Sequence, residues 1–287
     1  MINFLKYKWL YATISAVIIL SGIFSMVRWG FKYSIDFVGG TNLEYQTVKQ
    51  LPLSAVKNIF RKDKIDIVSI SEKGADLAIR TAALDNKQQI AIINELQKQF
   101  NTKITIIQSE TVGPVLGRET MIKTLVASLI AIVGILLYMS FAFRSFNFAI
   151  SAILAMFHDF LVVVGCYSLM SRFFGAEVDT MFVTAILTSM SFSVHDTIVI
   201  FDKIREYKKE QGIRDMTAGA NKALTETLVR SLNNSMTIIF MLLALTLLGG
   251  VTIRFFVATL LVGTITGTYS SPFVATPILV WMEKRRK

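Results

Sequence analysis

Long apolar runs alternate with short polar segments along this 287-residue chain. A run of about 20 apolar residues is long enough to cross the ~30 Å hydrocarbon core of a membrane as a helix. Six runs of this kind each predict a transmembrane helix. Their approximate bounds are 10–27, 122–143, 148–170, 178–201, 231–248 and 255–282.

The segment between the first two runs, 31–120, has a different pattern and predicts a folded domain. Alternation of apolar and polar residues predicts strands at 42–48, 66–71, 75–81 and 103–110, and helical spacing predicts helices at 53–62 and 85–100. The order β-α-β-β-α-β is that of a ferredoxin-like split unit. The sequence therefore predicts a polytopic α-helical membrane protein with six transmembrane helices and one extracytoplasmic α+β domain.

Three regions follow from this prediction. Residues 1–30 hold the N-terminal tail and the first span, 31–120 form the α+β domain, and 121–287 form a five-helix membrane domain with a cytoplasmic loop at 202–230. We expect the first span to be an uncleaved anchor, because no clear small-x-small cleavage site follows it. The loop mixes both charge signs and predicts solvated helices on the membrane surface.

The composition excludes an ordinary soluble enzyme. Hydrophobic residues make up 53% of the chain and charged residues 17%, whereas a soluble domain carries about 25% charged residues. The net charge of +10 is typical of the excess of Lys and Arg in cytoplasmic loops and does not indicate nucleic acid binding. With the N-terminus inside, the cytoplasmic segments hold 14 basic residues and the short outer loops hold 2. Both termini are therefore predicted to be cytoplasmic.

Ionisable residues inside the predicted spans are the candidates for function. Each costs at least about 2.5–3.5 kcal/mol on insertion scales, and such residues often mark ion or proton pathways. They are His158 and Asp159 in the third span, His195 and Asp196 in the fourth, and Arg230 at the start of the fifth.

Asp196 and Arg230 can lie at comparable depth, and together they predict a proton relay. A guanidinium beside a buried carboxylate keeps it ionised, and removal of the guanidinium favours proton uptake. The alternative is a static ion pair that fixes helix packing.

His158 and Asp159 could join the relay or simply form hydrogen bonds with neighbouring helices. A zinc site needs three or four ligands, which two His-Asp pairs could supply. An intramembrane metal hydrolase is therefore a weaker alternative, and no metal site is predicted. Gly263 and Gly267, four residues apart in the last span, predict close helix packing.

Five segments resemble the SecD/SecF family of protein-export subunits. They are SIDFVGGT at 34–41, VGPVLGRE at 112–119, HD at 158–159, DTIVIFDKIRE at 196–206 and GTYSS at 267–271. Family positions in the first two segments fall on Asp36, Gly39, Gly40, Thr41, Gly113 and Pro114. The single small outer domain and the segment that begins at Asp196 resemble the SecF branch of the family rather than the SecD branch.

The resemblance implies a half-transporter, related to the resistance-nodulation-division exporters, in the bacterial cytoplasmic membrane. It implies that SecD is the partner, that the SecYEG channel associates with the pair, with YajC and YidC as further candidates, and that preproteins are the cargo. The proton gradient would drive export, with H⁺ or Na⁺ as the coupling ion and no other cofactor, and the chain would not be an enzyme. In the family, the residues matching Asp196 and Arg230 serve proton conduction.

One position departs from the family pattern. Histidine occupies position 195, beside Asp196, where the family usually has asparagine. Because histidine titrates nearest physiological pH, His195 could join the relay or merely keep the hydrogen bonds of the asparagine. A stand-alone proton-coupled exporter of small molecules or lipids is the alternative function.

Overall fold

The computed structural model describes residues 3–73, 76–143, 145–210 and 215–285. These residues form two compact units, one from the described parts of Met1–Lys32 and Val126–Lys287 and the other from Tyr33–Leu125. Arg144, Arg214, Arg286 and Lys287, which contribute to the count of cytoplasmic charges, and Ala75, the first residue of a predicted strand, lie outside the described residues.

Ten helices and six strands make up the described residues. The helices are α1 (Lys8–Trp29), α2 (Ile35–Val38), α3 (Leu53–Lys62), α4 (Asn86–Phe100), α5 (Pro114–Phe143), α6 (Phe146–Phe174), α7 (Thr180–Glu210), α8 (Met216–Leu248), α9 (Val251–Ser270) and α10 (Thr276–Arg285). The strands are β1 (Lys32–Tyr33), β2 (Gly40–Thr47), β3 (Ile67–Lys73), β4 (Asp76–Thr81), β5 (Ile104–Val112) and β6 (Glu177–Val178). A 3₁₀ turn at Phe4–Tyr7 precedes α1, and a π-helical turn at Ser271–Ala275 joins α9 to α10.

Six helical segments of the described residues are long and apolar enough to span a membrane, which confirms the prediction of a polytopic helical membrane protein. They are Phe4–Trp29, Pro114–Phe143, Phe146–Phe174, Thr180–Lys209, Met216–Leu248 and Thr252–Arg285. The third of these segments is central to the bundle, since 61% of its most apolar window is buried, against 6% for the second.

One expectation for the membrane unit needs correction. The described residues of the 202–230 loop do not form separate surface helices, because α7 continues to Glu210 and α8 already begins at Met216. Ile204 and Tyr207 are buried, so apolar contacts extend α7 beyond the predicted span. The last span is interrupted by the π turn, which contains Pro272, a residue that has no N–H to donate to an α-helical ladder.

The unit Tyr33–Leu125 is built on a four-stranded antiparallel sheet with the order β3-β4-β2-β5. Buried residues of the sheet, including Leu43 and Ile79, form one apolar cluster with Phe60 of α3 and Leu96 of α4. Asp85 caps α4 in a capping box with Gln88. The element order β-α-β-β-α-β is the one that the alternation pattern predicts.

Small residues let the membrane helices approach closely. A Cβ added to Gly22 of α1 would lie 2.7 Å from Cα of Gly165 in α6, and the hydroxyls of Ser25 and Ser168 are 2.8 Å apart nearby. Gly263 and Gly267 of α9 lie against Ser189 and Ser193 of α7. The close packing predicted for the glycine pair in the last span is thus confirmed.

Replacing Gly165 by leucine should separate α1 from α6, because the new side chain would meet the backbone of Gly22. Overpacking of this kind costs about 1–3 kcal/mol, and thermal unfolding in detergent should detect the loss. Gly134→Leu is the matched control, since an added Cβ there meets nothing within 4 Å. Equal unfolding temperatures for the two variants would contradict the assigned contact.

Candidate functional site

A stripe of polar residues on α7 is buried inside the membrane unit. Ser189, Ser193 and Asp196 share one face of the helix, and their exposed fractions are 4%, 1% and 8%. Gly263 and Gly267 of α9 lie directly against the two serines. The absence of side chains at these glycines allows α9 to cover the stripe.

Asp159 joins three helices through its side chain. Its Oδ1 lies 2.9 Å from Nδ1 of His158 on the same helix, α6. Its Oδ2 accepts hydrogen bonds from the hydroxyl of Ser193 on α7 and, at 2.6 Å, from the hydroxyl of Ser270 on α9. The structure thus gives Asp159 the hydrogen bonds to neighbouring helices that were the alternative to a relay role.

His158 itself is buried and has one unused ring nitrogen. Its Nε2 has no hydrogen-bond partner among the described residues, and its ring centroid lies 6.5 Å from that of Tyr269. The geometry therefore ties His158 to Asp159 and to no other polar group of the described chain.

The polar contacts continue into the π turn. Thr197 Oγ1 and Ser271 Oγ are 2.8 Å apart, and the Ser271 hydroxyl also donates to the carbonyl of Gly267 at 3.1 Å. Ser270 and Ser271 stand where the regular helix ends, and π turns inside helices are frequent at functional sites. The GTYSS segment thus supplies two hydroxyls to the network.

Asp196 is bound by the neighbouring helix α8. Ser231 donates its hydroxyl to Asp196 Oδ2 at 3.0 Å, and Ser235 of α8 accepts from Thr268 of α9 at 2.7 Å. A cavity of about 20 Å³ lies between these helices, which is room for about one water molecule. Its lining includes His195, Asp196, Asn234, Ser235, Thr264 and Thr268.

The structure does not pair Arg230 with Asp196. Among the ion pairs of the described residues, none joins these two side chains. Arg230 is exposed and lines a separate cavity of about 440 Å³ together with Asp202 and Glu226. Ser231 makes the contact with Asp196 instead, because consecutive residues point about 100° apart around a helix.

The sequence pattern did not single out Ser231, because serine is common in membrane helices. Ser270 lies within the segment GTYSS at 267–271, so the family resemblance did include this residue. His195 is exposed on this chain and borders the small cavity. Neither of its two suggested roles is tested by these contacts.

Close approach of backbone segments explains the glycines of the family motif in the unit Tyr33–Leu125. Gly39 and Gly40 have φ values of +76° and +130°, which favour glycine. A Cβ on Gly39 would lie 2.7 Å from Cα of Pro114, and one on Gly40 would lie 2.7 Å from the carbonyl oxygen of Thr81. The segments 34–41 and 112–119 therefore pack against each other.

The polar members of these segments also have structural partners. The backbone N–H of Asp36 donates to the Ser34 hydroxyl at 3.3 Å. Thr41 Oγ1 lies 2.9 Å from Thr111 Oγ1 and accepts from the N–H of Leu84 at 2.8 Å. The carbonyl of Gly113 accepts from the N–H of Gly117 at 2.9 Å in the first turn of α5.

Within the described ranges, no three His, Cys, Asp or Glu side chains come together in a group that could hold a metal ion. The two His-Asp pairs are therefore not joined into one centre there. Each aspartate instead accepts hydrogen bonds from serine hydroxyls.

Two curated proteins illustrate the similarity to known sequences. The protein translocase subunit SecF of Anaerolinea thermophila is 37% identical over 99% of this chain and 94% of its own length. The protein translocase subunit SecF of Thermobaculum terrenum is 36% identical over 99% of this chain and 95% of its own length.

A solved structure is also similar over nearly the whole chain. The crystal structure of SecDF from Thermus thermophilus, a translocon-associated membrane protein, matches with a TM-score of 0.84 at 28% identity over 99% of this chain. A second structure, SecDF in a super-membrane-facing form, matches with a TM-score of 0.68. This chain spans 39% of the length of each of these solved chains.

Two family models match the sequence. The model of the SecD/SecF protein export membrane protein, C-terminal, covers residues 92–285, and the SecD/SecF GG motif covers residues 24–50. The second match includes Gly39 and Gly40. The first covers more than half of the chain and contains both buried aspartates. The chain therefore belongs to the SecD/SecF family of protein-export membrane proteins.

Proposed function

We propose that this chain is a SecF-type subunit of the Sec protein-export machinery and, with SecD, uses the proton motive force to promote late steps of preprotein translocation. The observation that carries the proposal is Asp196, a carboxylate buried between membrane helices beside a water-sized cavity, in a chain of this family. Its role is ion-coupled transport rather than enzymatic catalysis.

The similarity to part of a longer SecDF chain supports a role as one part of a larger assembly. This chain spans 39% of the SecDF chain of known structure, so a comparable assembly needs further polypeptide. SecD is the proposed partner, and SecYEG, with YajC and YidC, is the proposed site of action.

The distribution of basic residues supports an orientation with both termini in the cytoplasm of a bacterium. The unit Tyr33–Leu125 then lies outside the cytoplasmic membrane. Its sheet order and its element order are those expected of a ferredoxin-like domain.

Asp196 is the proposed proton carrier. A carboxylate in a poorly hydrated site takes up a proton unless a cation stabilises its charge. Movement of α8 that exchanges Ser231 for Arg230 at Asp196 would favour proton release, and the reverse movement would favour uptake. One charge that crosses 100 mV supplies about 2.3 kcal/mol, enough to bias a two-state movement of the outer domain about fiftyfold.

The proposed coupling ion is H⁺ because the cavity beside Asp196 has room for about one water molecule. A water there can deliver a proton to the carboxylate. His195 borders the same cavity and is a candidate member of the relay.

Asp159 is proposed to hold α6, α7 and α9 together rather than to carry the proton. Its carboxylate already accepts two serine hydroxyls and contacts His158. Motion at this junction would break several hydrogen bonds at once, and each hydrogen bond contributes about 0.5–1.5 kcal/mol.

Asp196→Asn and Arg230→Met should each abolish the part of preprotein export that depends on the proton gradient. The reason is that each change removes one partner of the charge exchange. The measurement is export into vesicles that contain SecD and SecYEG, with and without an imposed gradient, after membrane insertion has been verified. Asp63→Asn is the control, because Asp63 is exposed and lies in the unit Tyr33–Leu125, away from both partners. Wild-type coupling in either variant would contradict the relay.

Ser270→Ala should lower the free energy of unfolding by about 0.5–1.5 kcal/mol and leave gradient coupling in place, because Asp159 loses one hydrogen bond but carries no proton in transport. Unfolding in detergent and the export assay together check this expectation. Ser140→Ala is the control, since the exposed Ser140 hydroxyl donates to the carbonyl of Leu136 in its own helix. Loss of coupling without loss of stability would instead place Asp159 in the relay.

Purification of the tagged full chain in mild detergent should recover SecD in equal amount, since the chain is proposed to form only one half of the transporter. The isolated chain in vesicles should transport no small molecule in response to a proton gradient. Gradient-driven flux of such a molecule through the isolated chain would favour the stand-alone exporter and contradict the proposed function.

A further inference from the structure

An apolar groove runs along the membrane unit between the N-terminal segment, α6 and α10. Its volume is about 670 Å³. Trp9 and Ala12 of α1, Leu154 of α6, and Ile278 and Trp281 of α10 all line it. Trp9 and Trp281 are 77% and 53% exposed on this chain, so the groove is open to the surroundings of the bundle.

Three cations lie in the lining of the same groove. Lys8 is the first residue of α1, and Lys284 and Arg285 are the last two residues of α10. The Arg285 guanidinium lies over the Trp281 ring at 4.0 Å from its centroid. The groove lining thus combines three cations and Thr217 with otherwise apolar side chains.

Carboxylates neutralise these cations only in part. Among the described residues, no ion pair within 4.0 Å involves Lys8, Lys284 or Arg285. Asp215 interacts electrostatically with Lys284. The backbone N–H of Thr217 lowers the pKa of Asp215, and Lys284 lowers it further. The positive charge of Lys8 and Arg285 is thus left for a ligand.

The chemistry of the groove matches one kind of membrane component. Tryptophan is enriched where the hydrocarbon core meets the headgroups, and basic pockets between helices bind acidic lipid headgroups. A phosphate would lie among the three cations, and an acyl chain would lie along the apolar wall. A helix of a partner subunit would need acidic side chains at its end to satisfy the same cations, whereas an anionic lipid supplies phosphate and hydrocarbon in one molecule.

We propose that this groove is a binding site for one anionic phospholipid, with its phosphate at Lys8, Lys284 and Arg285 and an acyl chain between Trp9 and Trp281. The site is independent of the proposed export function, because it requires only that the chain spans a membrane. With both termini in the cytoplasm, the lipid would come from the cytoplasmic leaflet.

The three tryptophans of the chain allow a direct test. The full-length Trp29→Phe variant retains only the two tryptophans of the groove and is placed in phosphatidylcholine vesicles. Phosphatidylglycerol with brominated acyl chains is then added, and tryptophan quenching is compared with that from brominated phosphatidylcholine of the same chain length. We expect half-maximal quenching at a mole fraction at least about fivefold lower for phosphatidylglycerol, since one basic group near the surface contributes about that factor.

Two triple variants separate the groove from general surface charge. Lys8→Gln with Lys284→Gln and Arg285→Gln should abolish the preference for phosphatidylglycerol. The control removes the same charge from cations on the cytoplasmic side outside the groove lining, through Lys208→Gln, Lys209→Gln and Lys222→Gln, and should keep the preference. Thermal unfolding verifies that both variants are folded.

Three results would overturn the proposal. Equal quenching by the two lipids in the Trp29→Phe protein would mean non-selective lipid contact. Equal loss of preference in both triple variants would mean diffuse electrostatic attraction rather than a site. A preference of the same size in a Trp9→Phe and Trp281→Phe variant, which reports only from Trp29, would place the lipid elsewhere.

Discussion

The hydrogen bonds to the Asp159 carboxylate are the interaction on which the membrane unit depends. A charged or polar group in the hydrocarbon core is costly unless its hydrogen-bonding capacity is used. Serine hydroxyls from α7 and α9 meet that requirement at one carboxylate on α6. Because these partners belong to different helices, the need to satisfy the hydrogen-bonding capacity of the carboxylate also fixes how the helices are arranged.

The glycines of α9 make this arrangement sterically feasible. Gly263 and Gly267 bring its backbone against Ser189 and Ser193, so hydroxyls that would be too far apart across larger residues can reach a shared carboxylate. Small residues and buried polar residues thus act together. The small residues allow a short distance between helices, and the polar residues form hydrogen bonds that stabilise the helices at that distance. The separate contact of Gly22 with Gly165 brings α1 against α6 in the same way.

Hydrophobic periodicity predicted the six spans and the element order of the unit Tyr33–Leu125, because both patterns repeat over many residues. It also located Asp159 and Asp196, since ionisable residues are rare in apolar runs. It did not predict that Ser231, rather than Arg230, contacts Asp196, because spacing defines a face of one helix but not the rotation of that helix against its neighbour. The continuation of α7 through charged residues was missed for a related reason, since the buried Ile204 and Tyr207 stabilise it through tertiary contacts.

The π turn at Ser271–Ala275 influences residues well beyond its own five positions. A π turn closes its hydrogen bonds one residue later than an α turn, so it inserts one residue into the helical register. Every side chain of α10 is consequently rotated by about 100° from the direction that an uninterrupted helix would give it. The direction in which Trp281, Lys284 and Arg285 point is therefore determined by a backbone irregularity more than a full turn upstream. Because the buried serines stand at the same turn, their geometry and the set of side chains on the outer face of α10 depend on one backbone feature.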